Sequence, residues 1–474
     1  TTHAGCLAYA MGATRAKNVL AAGTKTLLAL AFVVPTFFFF GWWIYNAFPT
    51  GLTISDGADA ALPWSSAMGP NLSDNATGVF WAAFALFAAT TASIMSGAVI
   101  ERIRLTAFLM LSIVLGSVIW ILAAAWGWHP AGWLTTEFGF HDVGAAGCVH
   151  LVAGAFTLGV LINLGPRIGK YNADGTPNAI KAHSVPLTVV GLMLIIVGFF
   201  GFLGGCIIYN SGAQWTNIFG QPATLSAFAF NTVMGFAGGI IGGWVKTRDP
   251  FWMMSCGLVG IISVASGLDL WYPPLAFAIA AVAGFVAPMI ATAIERAGID
   301  DAVGAVAVHG AGGAMGVLAV GLFAAGYPNV GEMPPVSLTG QLVGLVVMGA
   351  LGFIPGYAMS AVFNPLKLNP LRDAVESVID FEAVRASGLQ LLTAIIADVC
   401  LSGGTEKREQ TLRTVRMNLS EPEPKLRARL QEIYDNSESD FVKENVAAFV
   451  NMTPETFSGV YANAIKETHW LSYP

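Results

Sequence analysis

The chain has 474 residues, of which 55% are hydrophobic and only 11% are charged. Soluble proteins carry about 25% charged residues, so this composition excludes a chain built of ordinary soluble domains. The 54 glycines permit close helix approach inside a bilayer. The formal net charge of -6 discriminates little, because much of the charge lies near the C-terminus. The composition predicts an all-α polytopic membrane protein.

Apolar segments begin at the first residues and recur through most of the chain. The run before Arg15 and Lys17 is shorter than the ~20 residues that a spanning helix needs. We interpret it as the second half of a first transmembrane helix whose beginning is missing; a cleaved signal peptide is the alternative. Further segments lie at approximately 20–47, 75–100, 105–128, 143–165, 185–209, 223–245, 251–268, 271–293, 302–325 and 339–363. Together they predict eleven transmembrane helices.

Lys and Arg cluster in alternate loops, at residues 101–104, 166–170, 246–248 and 295–296. Such loops mark the cytoplasmic side. The pattern predicts an N-terminus outside and a cytoplasmic C-terminus. We expect the protein in the plasma (inner) membrane. Five segments followed by five of opposite orientation predict an inverted repeat, and such folds place the substrate path at the repeat interface.

A repeated pattern carries the main functional signal. Asp142 precedes His150 by eight positions within an apolar segment, and Asp301 precedes His309 by the same interval. We place each imidazole about two turns inside its helix, so that the two meet near the middle of the bilayer. An ionisable side chain at that depth is a functional-site candidate, although two unrelated core histidines are the alternative.

The composition changes near residue 365, and we predict a transmembrane domain at 1–365 and a cytoplasmic tail at 366–474. The apolar run 389–401 is too short to span and predicts a packed or interfacial helix. Residues 406–434 predict solvated helices broken at Pro422 and Pro424. The tail has no nucleotide-binding, kinase or cyclase motif, and no nucleic-acid partner is expected. Five scattered cysteines without a C-x-x-C pair support neither a disulfide framework nor a metal site, and no cofactor is expected.

Several segments resemble the Amt/Mep/Rh ammonium transporters, and the resemblance covers nearly all of residues 5–365. Its motifs are at residues 12–18, 87–90, 96–102, 142–150, 201–206 and 301–310. The resemblance implies eleven helices per subunit, a homotrimer, and a pore through each subunit. It therefore implies nitrogen uptake as ammonium, and a transporter in place of an enzyme.

The resemblance also assigns roles to individual residues. His150 and His309 would be the hydrogen-bonded pore histidines, which deprotonate ammonium and conduct ammonia along a hydrophobic pore. Trp128 would recruit the cation through its indole face, and Asp142 would stabilise it. Phe87 and Phe202 would form a gate below that site.

Three departures from the family pattern lie near this outer site. Cys206 stands where serine is usual, and a thiol is the weaker hydrogen-bond partner. Leu203 replaces asparagine, and Ala83 lies where a second phenylalanine is often found. For Trp128 the alternative is an interfacial-belt tryptophan, and for Asp142 a structural carboxylate at a helix start.

Two other functions remain open at this point. The chain could be an ammonium sensor that signals through its tail, or a neutral-gas channel of the Rh type. The family resemblance implies a PII signal protein as a possible partner at the cytoplasmic face, with residues 371–381 as the segment most similar to the regulatory tail.

Overall fold

The computed structural model describes residues 2–66, 75–172, 174–209, 215–217, 223–328, 333–363, 390–391, 394–396, 412–437 and 439–468. The chain divides into two compact units, Thr1–Pro370 and Leu371–Pro474. Residues 371–381, the segment predicted to resemble a regulatory tail, lie outside the described residues.

The first unit is mainly helical, and several of its helices contain a π-helical turn. The first four long helices are α1 (Thr2–Ala13), α2 (Val19–Thr36, extended by Phe37–Gly41 and Trp42–Ala47), α3 (Asn75–Ala98) and α4 (Leu105–Val114, extended by Leu115–Ile119 and Trp120–Trp128). Next come the short α5 (Trp133–Phe138), then α6 (Ala146–Leu151 and Val152–Leu164), α7 (Val185–Gly204) and α8 (Leu225–Thr247). The last four are α9 (Pro250–Ala265), α10 (Pro273–Arg296), α11 (Val306–Ala311 and Gly312–Phe323) and α12 (Leu338–Phe363).

The described residues contain nine helices that are long and apolar enough to cross a membrane, and Pro250–Ala265 is a shorter apolar helix. The prediction of an all-helical integral membrane protein is therefore confirmed. A count of eleven spans and the inverted repeat remain predictions. The segment predicted as helix over 185–209 ends earlier, at Gly204, because two consecutive glycines disfavour continuation. Beyond it, β1 (Ile207–Tyr209) pairs antiparallel with β2 (Trp215–Asn217).

The starts of α6 and α11 differ from their prediction. Neither Asp142 nor Asp301 is helical, and the helices begin only at Ala146 and Val306, each with a π-helical turn. At α6 the reason is visible in the backbone: Val143 N and Gly144 N donate to the carbonyls of Ser266 and Ala265, both at 2.9 Å. Those amides are therefore directed to another segment. Each imidazole lies in the first turn of its helix, and the placement two turns inside was wrong.

Charged residues tie the loops together at the end of the unit opposite Trp128. Arg167 donates through its backbone N, Nε and Nη2 to the carboxylate of Asp300 at 2.8–2.9 Å, and Arg102 contacts the same residue. Burial alone would raise the pKa of Asp300, but hydrogen bonds from Arg167 and the charge of Arg102 leave that pKa below its usual value. Arg15 similarly pairs with Glu101.

The second unit has its own hydrophobic core. Its helices are α13 (Leu412–Leu419), α14 (Glu423–Asn436), α15 (Asp440–Val450) and α16 (Pro454–Thr468). Buried side chains include Leu391, Ala394, Leu426, Leu430 and Phe457. The prediction of solvated helices is therefore incomplete, because these helices expose a polar face and also pack an apolar face in this core. The predicted break is present: α13 ends at Leu419, and Pro424 lies in the first turn of α14.

Candidate functional site

Two buried imidazoles meet inside the first unit. Nδ1 of His150 lies 3.0 Å from Nδ1 of His309, and the ring centroids are 5.1 Å apart with an interplanar angle of 22°. In neutral imidazoles one Nδ1 must donate and the other accept. The opposite nitrogens then differ: one ring presents Nε2 as an acceptor and the other presents Nε2–H as a donor. Nε2 of His150 is buried and has no hydrogen-bond partner among the described residues.

A glycine pair brings the two imidazole-bearing helices together. A Cβ built on Gly154 would lie 2.2 Å from the backbone N of Gly310 and 2.3 Å from its Cα. No side chain larger than hydrogen fits at Gly154 without a shift of backbone. The close helix approach is what allows His150 and His309, one on each helix, to reach one another.

Both aspartates of the repeated pattern cap their helices. Oδ2 of Asp142 accepts from the backbone N of Gly147 at 2.9 Å and of Cys148 at 2.7 Å, and Oδ1 accepts from the Ser266 hydroxyl at 2.7 Å. Oδ2 of Asp301 accepts from the backbone N of Val306 at 2.7 Å. The carboxylates satisfy amides that the start of a helix leaves free, and so fix the turn that carries each imidazole.

A column of buried aromatic rings leads from Trp128 to the imidazoles. The centroid of Phe87 lies 5.6 Å from Trp128 and 4.1 Å from Phe202, whose own centroid lies 6.0 Å from His150. Phe87 and Phe202 are inclined at 39°, so they are tilted against one another and not parallel. At the top of the column, Trp128 Nε1 donates to the carbonyl of Asp142 at 2.6 Å, which fixes the indole plane.

Cys206 is buried next to this column, with 1% of its surface exposed. Its thiol donates to the carbonyl of Phe202 at 3.8 Å, one helical turn earlier. Leu203 packs near Gly144, since a Cβ on that glycine would lie 3.0 Å from Leu203 Cδ2. The three departures from the family pattern are thus placed as follows: Cys206 and Leu203 are buried near the column, and Ala83 lies on α3, the helix that carries Phe87.

On the far side of the imidazole pair lies a cavity of about 60 Å³. One water requires ~10–15 Å³ by this measure, so the cavity has room for more than one small molecule. His150 and His309 line it together with hydroxyl-bearing side chains from other helices, namely Thr2, Tyr9, Thr90, Ser93, Ser96 and Ser255.

Two features of this region were missed by the sequence prediction. Phe84 lies three positions before Phe87, on the same helix face, and its ring centroid is 5.8 Å from Trp128 and 6.3 Å from Phe87. Phe84 therefore supplies an aromatic ring next to Trp128, which Ala83 cannot do. The second feature is a buried polar group around Asp269, which contacts His141 Nε2 at 3.1 Å and accepts from Asn217 Nδ2 at 2.6 Å. The spacing of these three residues in the sequence gives no sign that they lie together.

The first unit is thus a polytopic helical membrane fold with a column of buried rings ending at a buried imidazole pair. Residues 1–373 match the model of the Ammonium Transporter Family, and the chain belongs to that family. Its members are transporters and not enzymes. The ammonium transporter Amt1 of Methanocaldococcus jannaschii is 31% identical over 360 residues, which cover 74% of this chain and 84% of the relative.

Solved structures agree with the family assignment. A structure titled "Sensor Amt Protein" superposes with a TM-score of 0.66 at 26% identity, covering 78% of this chain and 90% of that one. Mep2 of Saccharomyces cerevisiae superposes with a TM-score of 0.63 at 21% identity, covering 77% of this chain and 85% of that one. At that identity the Mep2 likeness shows the fold alone.

Residues 381–474 match a different family, described as Type IV secretory system Conjugative DNA transfer. Over 90 residues the chain is 84% identical to a probable conjugal transfer protein TraG of Sinorhizobium fredii. That match covers 19% of this chain and only 14% of the relative. No domain is recognisable from the sequence of this tail alone, because short amphipathic helices without a chemical motif do not identify a family.

Proposed function

We propose that the first unit is an ammonium transporter that recruits ammonium near Trp128, deprotonates it and conducts ammonia past His150 and His309. The ring column ending at the imidazole pair is the observation that carries this proposal. Bare ammonium in a dry, low-dielectric path would cost tens of kcal/mol. Neutral ammonia avoids that cost, while an imidazole pair offers one acceptor and one donor for the separated proton.

The other residues of the proposed site have distinct roles. Trp128 recruits the cation through its indole face, a contact worth about 0.5–2 kcal/mol. Asp142 holds the backbone at the start of α6 and adds negative charge near that site. Phe87 and Phe202 close the path between the recruitment site and the imidazoles. Cys206 borders the recruitment site through the turn that it shares with Phe202.

We further propose the arrangement of the chain in the membrane. Residues 1–365 form eleven spans as a five-plus-five inverted repeat, assembled as a homotrimer in the plasma membrane. The Trp128 end faces outside, because the loops at the opposite end carry the Arg and Lys residues. Residues 366–474 form a separate cytoplasmic domain, and a PII protein is a candidate partner at that face. No cofactor or metal takes part.

Two substitutions test the transport proposal. We expect His150→Ala and His309→Ala each to lose ammonium uptake into liposomes, or its selectivity over potassium, because either change removes the imidazole pair. His183→Ala, on an exposed loop, is the matched control and should transport like the wild type. Wild-type uptake and selectivity in both pore variants would overturn the proposed mechanism.

An ammonium sensor is the second candidate, and it is favoured by one observation. The likeness to the structure titled "Sensor Amt Protein" has a higher identity than the likeness to Mep2, 26% against 21%. A sensor would bind ammonium without moving it. Binding of ammonium by purified protein that conducts nothing in liposomes, with or without a membrane potential, would select the sensor.

A further inference from the structure

A third histidine lies close to the cavity beyond the imidazole pair. His3, on α1, places Nδ1 2.6 Å from the hydroxyl of Ser93 and Nε2 3.0 Å from the carbonyl oxygen of Thr26. Ser93 lines the same cavity as His150 and His309, whereas His3 is not among the residues that line it. The Ser93 hydroxyl is therefore the polar group that connects His3 with the cavity.

The hydrogen bonds around His3 can be counted for each protonation state. Nε2 faces a carbonyl and must carry a proton in both. The Ser93 hydroxyl has one proton and two acceptors within reach, His3 Nδ1 and the carbonyl of Ala89 at 2.7 Å. A neutral His3 accepts that proton, which leaves the Ala89 contact without one. A doubly protonated His3 donates from Nδ1 to Ser93, and the Ser93 proton goes to Ala89, so that every contact is satisfied.

In the part of the chain that the structure describes, the helices packed against α1 supply no counter-charge to His3. α1 packs against α2, α3 and α7. The sequences of α3 and α7 contain no ionisable side chain, and the one charged side chain of α2 is Lys25, next to Thr26. Cys6 and Tyr9 are the other titratable groups of α1, and Tyr9 is hydrogen-bonded to Ser255 at 2.7 Å. Burial of a cation without an anion is costly. The neutral form is thus the resting state, and the hydrogen bonds allow a proton to be held for a short time.

We propose that His3 is a proton acceptor for the cavity, reached through Ser93, that holds the substrate's proton while ammonia passes; this rests on the proposed transport function. A protonated molecule in the cavity, ammonium or a hydrated proton, gives a proton to Ser93 Oγ and keeps its bonding electron pair. The original hydroxyl proton of Ser93 moves to His3 Nδ1 in the same step. The O–H bond broken at Ser93 Oγ is thus replaced by the new O–H bond formed there. The proton on His3 later returns to the cavity by the reverse path.

The first test uses variants that keep or cut this connection. In His3→Gln, the amide can donate to the Thr26 carbonyl and accept from Ser93 but cannot take up a proton. Ser93→Ala removes the connecting hydroxyl. We expect ammonium-evoked current in liposomes to fall at least about threefold in both variants, with a changed pH profile, because acid–base steps of this kind contribute large factors. His183→Gln, at an exposed position, should behave as the wild type. Current and pH profile equal to wild type in both variants would overturn the proposal.

A second measurement does not depend on transport. In detergent-solubilised protein with ¹⁵N-labelled histidine, the imidazole signal that disappears in His3→Gln belongs to His3. We expect this signal to change from singly to doubly protonated on acidification from roughly pH 8 to pH 4, and Ser93→Ala to shift that transition. A His3 signal that stays singly protonated over the whole range would overturn the proposal. Absence of ammonium uptake in the wild type would instead overturn the proposed transport, and with it the role of His3 in transport, whatever the His3 signal shows.

Discussion

The segments that carry His150 and His309 begin alike and then diverge. Each histidine follows an aspartate by eight residues, each helix starts with a π-helical turn, and each aspartate caps that turn. Asp142, however, accepts three hydrogen bonds and is fully buried. Asp301 leaves Oδ1 without a hydrogen-bond partner among the described residues and borders a second cavity of about 210 Å³.

The glycines that follow the two imidazoles show the same difference, with tighter packing on the His150 side. Gly154 leaves no space for a Cβ, whereas a Cβ on Gly310 would meet nothing closer than 3.4 Å, an ordinary contact. One sequence pattern thus produces a tightly fixed segment around His150 and a more permissive one around His309. The repeated motif therefore sets the local turn, while the neighbouring helices decide how rigidly that turn is held.

The largest effect that we expect from this difference is at Gly154, where the two imidazole-bearing helices approach each other. Gly154→Ala should lower ammonium uptake at least about tenfold, because overpacking costs ~1–3 kcal/mol and must displace the backbone that positions the imidazoles. Gly310→Ala should retain most of the uptake. Gly349→Ala, on α12 with open space around its Cβ position, controls for the change of helix propensity. Equal losses at 154 and 310 would contradict the asymmetry.

The aspartates should follow the same order with a smaller difference. Asp142→Ala leaves two backbone amides and the Ser266 hydroxyl without their acceptor, whereas Asp301→Ala removes the acceptor of backbone amides at Ala305 and Val306. Each buried donor that loses its partner costs ~1–3 kcal/mol. We expect a larger fall in melting temperature in detergent for Asp142→Ala than for Asp301→Ala. The reverse order would mean that the caps do not hold these segments.

Particular residues show what the sequence could and could not predict. Hydropathy located most apolar helices, since their length reflects the thickness of a bilayer. It could not predict that residues 142–145 are non-helical, because that depends on amides donated to Ser266 and Ala265, more than a hundred positions away. His3 and Ser93 are likewise joined only by packing between helices. Spacing within one helix could have indicated Phe84.

A smaller effect is expected at Cys206, which lies near the tightly fixed segment around His150. Cys206→Ser should tighten the apparent affinity for ammonium, by about two- to threefold, because a hydroxyl is a better acceptor than a thiol. The serine proton would go to the Phe202 carbonyl, the partner of the present thiol, leaving the oxygen lone pairs for the cation. Cys256→Ser, a cysteine on α9, is the matched control. Unchanged or weaker affinity in transport titrations would mean that Cys206 does not border the recruitment site.

The smallest effect is expected from the second unit. Its core includes Leu391 and Ala394 together with helices α13 to α16, so a cut after Leu401 would divide that core, whereas removal of residues 371–474 takes the whole unit away. The match to the ammonium transporter family ends at residue 373, and both imidazoles lie before it. We therefore expect the truncated protein to take up ammonium within about twofold of the full-length protein in the same liposomes, since an intact unit keeps its own buried core.

The cut after Leu401 serves as a control, because it should expose apolar surface and lower the yield of monodisperse protein. A large change in transport rate on clean removal of residues 371–474 would instead assign the second unit a regulatory role.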